Sequence, residues 1–145
     1  MGEVRADVTL ENGDDLAFVR RGALEPAAVR KLKAKLLVDT GAVLVLLPQD
    51  MVEALGVATF DRVIVTLANE QKIELAKAGP FHLTVAGRSM AIDCLVGPPQ
   101  CEPLLGQVVL ETLDLIVDPV RQTLTPRPES PFLPSLKMKT LAPAV

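Results

Sequence analysis

The segment Leu36-Leu37-Val38-Asp39-Thr40-Gly41-Ala42 places a carboxylate at the end of an apolar run. Burying an unpaired carboxylate is expensive, so an aspartate at such a position requires a partner or a task. Gly41 follows closely enough to allow a tight turn and near approach of backbone. Thr40 adds a hydroxyl that both donates and accepts. This combination is expected to hold the Asp39 carboxylate rigidly in a low-dielectric cleft.

The run that leads there has the period of a strand. Lys31, Lys33 and Lys35 face one way, while Leu32, Ala34 and Leu36 face the other. The same alternation marks Val4 to Leu10, after which Asn12-Gly13 carries hairpin-turn chemistry. Further strands are expected at Val43–Leu47, Arg62–Leu67, Ile73–Ala76, Phe81–Val85, Met90–Val96, Leu115–Val117 and Gln122–Thr125. Asn69, Gly79-Pro80 and Gly87 punctuate them. Helical spacing appears at Gln49–Leu55, where Gly56 is a natural stop, and at Val108–Leu113. Residues 17–30 fit either a loop or a helical turn. Prolines 126, 128, 131, 134 and 143 crowd the end of the chain, which predicts an extended tail over 127–145, partly disordered, after a domain spanning 1–126.

Composition narrows the chemistry. With four Phe and no Trp or Tyr among 145 residues, the core must be aliphatic, and the apolar excess favours some burial in an oligomer. The net charge of −3 and the single basic stretch at Lys31, Lys33 and Lys35 speak against a nucleic-acid surface. Cys94 and Cys101 with one histidine, His82, do not make a zinc set. No cofactor or metal is expected. The amino terminus lacks the apolar core of a signal peptide and no run reaches membrane-spanning length, so a cytoplasmic protein with reduced thiols and no membrane partner is expected. Asp114 and Asp118 fall at turns, and Cys94 belongs to an apolar strand. His82 has no evident acid or nucleophile beside it.

Four stretches, LLVDTGA, LLP, PLLG and LETLDLIVDP, together resemble the retropepsin-like aspartic proteases, in particular short bacterial single-domain members. The likeness runs from about Val4 to about Pro128. It implies a mostly-β, closed barrel-like acid-protease fold with one or two short helices, assembled as a homodimer. It also implies an aspartic endopeptidase, with Asp39 as catalytic residue and Thr40, Gly41 and Ala42 as loop support. Leu104, Leu105 and Gly106 match the downstream apolar-apolar-Gly element, the psi-loop. Two close carboxylates share one proton, one acting as base toward a water and the other supporting the carbonyl oxygen. The chain has a single Asp-Thr-Gly and no Asp-Ser-Gly, so a second copy is expected to supply the second aspartate. The resemblance further implies that Thr40 hydrogen-bonds across the two-fold axis and that Gly41 contacts a peptide or protein substrate.

Two departures stand out. The flap turn, Ala68-Asn69-Glu70, has Glu where related bacterial sequences have Gly; Asn69 tolerates a left-handed backbone and keeps a turn feasible. Val43 and Gln107 replace an Asp and an Arg that pair near the dimer centre in retroviral relatives, so both charges are missing together. These departures motivate an alternative of another class: a catalytically weak or inactive dimerisation and peptide-binding domain that takes extended peptides by strand addition. A third arrangement, a monomer that becomes active on assembly or after trimming of its tail, is motivated by the proline-rich end.

Overall fold

The computed structural model describes residues 2–144. Met1 and Val145, the outermost residues of the expected domain and tail, lie outside the described residues. The chain is mostly β: nine strands, three short α-helices and one 3-10 turn at Pro26–Ala28 are formed among the described residues.

Strand β1 (Arg5–Asn12) buries Ala6, Val8, Leu10 and Asn12 on one face, as its alternation predicts. Asn12-Gly13 does not make a hairpin. Instead the Asn12 side chain accepts from Asp15 N at 3.0 Å and starts helix α1 (Gly13–Arg20), whose first turn carries Asp14 and Asp15. Asn is as good an N-cap as a turn residue, and acids suit a helix N-terminus. Its amide also donates to Leu55 O at 2.8 Å, a contact 43 residues away in sequence. The 3-10 turn resolves the ambiguous stretch before strand β2 (Lys31–Val38), on which the three lysines are exposed and Leu36 is fully buried.

Strand β3 (Val45–Pro48) begins two residues later than expected, leaving Val43 67% exposed. Helix α2 (Gln49–Leu55) ends at Gly56, which takes the left-handed conformation of a C-cap with φ 68°. Strands β4 (Ala58–Thr66) and β5 (Lys72–Val85) form a hairpin. Gly79-Pro80, expected to separate two strands, lies inside the single 14-residue β5, where a register shift between Ala78 and Phe81 absorbs it. Strand β6 (Arg88–Gly97) follows, then β7 (Leu104–Leu105), helix α3 (Gln107–Thr112), β8 (Leu115–Asp118) and β9 (Thr123–Pro126).

The strand order is β1-β2-β7-β3-β6-β5-β4, and β1 also pairs with β5. The pairings therefore return on themselves, but the circuit is thin: β7 is two residues long and meets β3 only at Leu46↔Leu104. The expected closed barrel is thus a mostly-β sheet consistent with an acid-protease fold, and not a clean barrel. Strands β8 and β9 form a separate two-stranded sheet. The expectation of one or two helices fell short, because α1 grows from a cap that also reads as a turn.

The core is aliphatic as composition required, with Leu10, Leu36, Val45, Leu47, Leu55, Leu83, Leu105 and Val109 fully buried around Phe81. Each such Val, Leu or Phe contributes about 1.5–3 kcal/mol by leaving water. Cys94 belongs to this core, and burial pushes its thiol up to about 12. The β strands thereby fix two loops, one after β2 and one after β7, against each other.

Candidate active site

Asp39 stands at the end of β2, between β1 and β7. Leu37 and Val38 run parallel to Leu104 and Leu105, and Val38 N donates to Val4 O at 2.8 Å. The ladder ends at Asp39, whose N–H reaches Leu105 O at 3.0 Å. Beyond it the chain turns: Ala42 N donates to Asp39 O at 3.1 Å, and Gly41 N donates to Asp39 Oδ1 at 2.9 Å. That second bond fixes the plane of the carboxylate. Among the described residues no hydrogen bond engages Oδ2. A Cβ at position 41 would lie 3.2 Å from Oδ1, tight enough to press on the carboxylate that the Gly41 amide holds.

The downstream element closes the loop from the other side. Gln107 N donates to Ala42 O at 2.7 Å and Val108 N donates to Val43 O at 3.0 Å. The loop thus borrows orphan N–H groups from the start of α3. Gly106, the residue before α3, is buried against the backbone of this loop. A Cβ there would collide with Leu44 O and lie 2.8 Å from Ala42 O. Leu104, Leu105 and Gly106 and the loop Asp39–Ala42 are therefore brought together, although 62 residues separate Ala42 from Leu104.

Rigidity is present, but enclosure is not. Asp39 and Ala42 are half-buried and Thr40 and Gly41 exposed, so one chain alone does not supply the low-dielectric cleft expected from the apolar run. Thr40 borders a shallow groove with Gln107, Leu110, Glu111, Leu115 and Val117. Of the two positions at which the resemblance marks missing charges, Val43 is exposed and Gln107 half-buried.

Ala68, Asn69 and Glu70 form the tip of the β4–β5 hairpin, closed by Leu67 N to Gln71 O and Glu70 N to Leu67 O, each at 2.8 Å. The left-handed residue there is Glu70, with φ 65°, and not Asn69. Asn69 instead uses its side chain, accepting from Gln71 N at 3.0 Å. Glu70 so occupies the conformation that glycine adopts without strain.

The remaining candidates take structural positions. Asp118 Oδ1 accepts from Val120 N and Arg121 N and closes the β8–β9 turn. His82 does have an acid opposite, since Glu11 Oε1 lies 3.7 Å from its Nδ1, a neighbour set by β1–β5 pairing and invisible in linear order. Register places Cys94 against Ala78 and Val45, away from His82. Asp114 is a hub: its carboxylate accepts from Arg127 Nε at 2.7 Å, Ser130 Oγ and Ser135 N at 2.9 Å. The Arg127 guanidinium holds that carboxyl well below the usual carboxylate range. Buried Arg88, which had no sequence signal, reaches Leu113 O at 2.8 Å and Asp114 O at 3.0 Å. Among the described residues no helix is long and apolar enough to cross a membrane, and no group of three or more His, Cys, Asp or Glu is placed to hold a metal.

No curated protein matches the chain. The model of the family described as "gag-polyprotein putative aspartyl protease" matches residues 26–112, which spans β2 through α3 and includes both the Asp39 loop and the Gly106 element. By that match over more than half its length, the chain belongs to this family.

Proposed function

We propose that this chain is an aspartic endopeptidase that works as a homodimer, each copy contributing Asp39. One observation carries the reading: a single Asp-Thr-Gly loop, held from two sides by Leu105 O and the α3 amides, leaves its carboxylate half-buried beside an exposed Thr40. A second loop related by a two-fold axis would bring two carboxylates together and shut out solvent. The pair would then hold one proton between them. The ionised member takes a proton from a water, which attacks the peptide carbonyl while the protonated member donates to the carbonyl oxygen, giving a gem-diol. The proton taken from water then passes to the peptide nitrogen, the C–N bond breaks so that the amine leaves, and a diol hydroxyl returns its proton to the dyad. Thr40 tightens the contact between loops, Gly41 and Ala42 line the bound peptide, and the hairpin tip at Ala68, Asn69 and Glu70 covers it.

The test compares wild type with Asp39→Asn on a diverse peptide mixture from about pH 4 to 7, read by mass spectrometry. Cleavage by wild type alone is expected. Equal cleavage by Asp39→Asn would sink the proposal. The left-handed Glu70 favours a second reading, a dimer that binds extended peptides without turnover. A dimer that retains peptides intact in the same experiment would select it.

A further inference from the structure

Helix α3 is fastened at both ends. At its start, Gln107 N and Val108 N hold the carbonyls of Ala42 and Val43 in the Asp39 loop. At its end, Leu113 O and Asp114 O are held by one nitrogen of Arg88, whose other terminal nitrogen donates to Ser130 O in the C-terminal segment. With six residues the helix is only about 9 Å long, too short to bend between its ends.

The C-terminal segment is attached at the same corner. Arg127 N donates to Asp114 O at 3.1 Å, and the Asp114 carboxylate gathers Arg127, Ser130 Oγ and Ser135 N. Asp114 adopts a left-handed backbone with φ 55°, a conformation that costs a non-glycine residue free energy and persists where the surroundings enforce it. Arg88 is 7% exposed and forms no ion pair among the described residues. Carbonyl oxygens serve its charge, two from the end of α3 and one from Ser130. Releasing the segment would remove one acceptor from a buried cation, so the guanidinium must shift and pull on the helix end. Arg88 lies on β6, just beyond the β5–β6 turn, so the sheet anchors the device.

We propose that residues 127–135 act as a strap that sets the position of the Asp39 loop through α3, with Arg88 and Asp114 as its positioning residues. The inference rests on the reading of Asp39 as the reacting group. It gives the proline-rich end a task in the site that lies beyond the family match, which stops at residue 112.

The experiment uses full-length chain and two variants: Arg88→Lys, which keeps the charge but cannot span three carbonyls, and the double variant Ser130→Ala/Ser135→Pro, which removes two donors to Asp114. Amide hydrogen exchange is read at Gln107 and Val108, at residues 127–137, and in the β4–β5 ladder as reference. Exchange at Gln107 and Val108 should accelerate about tenfold in both variants while the ladder stays unchanged. Turnover of a cleaved peptide should fall about tenfold in kcat with KM unchanged. Free exchange at 127–137 with Gln107 and Val108 still protected would overturn the inference. So would uniform acceleration across the ladder, or a strap still protected in the double variant. If Arg88→Lys does not fold, the double variant decides alone. Accelerated exchange in a protein whose wild type cleaves nothing would retire the protease reading and leave the strap standing.

Discussion

Gly106→Ala tests the packing of the Asp39 loop on α3 more sharply than any other single methyl. Gly106 has φ −94°, a conformation open to alanine, so backbone strain does not enter. Space decides the outcome. The added Cβ would strike Leu44 O and sit 2.8 Å from both Ala42 O and Leu44 C, all of them backbone atoms. They cannot yield without disturbing Gln107 N to Ala42 O and Val108 N to Val43 O. Overpacking costs about 1–3 kcal/mol, and two lost backbone hydrogen bonds add about 1 kcal/mol each. The sum is about 3–5 kcal/mol, which at about 2 kcal/mol/M lowers the urea midpoint by about 2 M. Gly87→Ala is the control, because φ is 77° but nothing lies within 4 Å of the new Cβ; it should lose only about 1 kcal/mol. Peptide cleavage should vanish in Gly106→Ala and survive in Gly87→Ala. A Gly106→Ala protein as stable as the Gly87→Ala one would refute the argument that contact with the loop backbone excludes a side chain there.

Two further outcomes follow from local features. Glu70→Gly relieves about 1 kcal/mol of left-handed strain and adds a smaller entropy cost; a thermal melt should show equal or higher stability, and a loss beyond about 1 kcal/mol would show that the Glu70 side chain matters more than its backbone. Asp15 accepts from Arg30 Nε, Nη2 and backbone N at 2.9–3.0 Å, and the guanidinium holds its carboxyl down at about 2. A depressed carboxylate stabilises the fold above its unfolded value near 4 and loses that contribution as pH falls toward 2. Asp15→Asn should therefore be less stable at neutral pH and show a flatter loss of stability between pH 4 and 2, measured by urea midpoints; an unchanged slope would count against the pair.

The local rules of the chain were legible in order of appearance. Alternation set Lys31, Lys33 and Lys35 outside and Leu36 inside, and helical spacing with a terminal glycine marked Gln49–Leu55 and Gly56. The Asp39-Thr40-Gly41 loop and its Leu104-Leu105-Gly106 partner were visible because their constraints are chemical and short in range. Asn12 shows where such reading stops. Its side chain suits a turn and a helix cap equally, and only the Leu55 carbonyl and the pairing of β1 with β5 select the cap. The tip of the β4–β5 hairpin behaves likewise, since pairing register assigns the left-handed position to Glu70 and leaves Asn69 to its side-chain bond. Arg88 had no signature at all, for its partners lie 25, 26 and 42 residues away and are backbone oxygens, which any sequence provides. By itself the sequence determined the β period, the aliphatic core and the Asp-Thr-Gly motif, because these depend on neighbours within a few residues. Only the tertiary structure decided which loops meet, how open Asp39 stays in one chain and what holds α3, because register and long-range hydrogen bonds depend on the whole sheet at once.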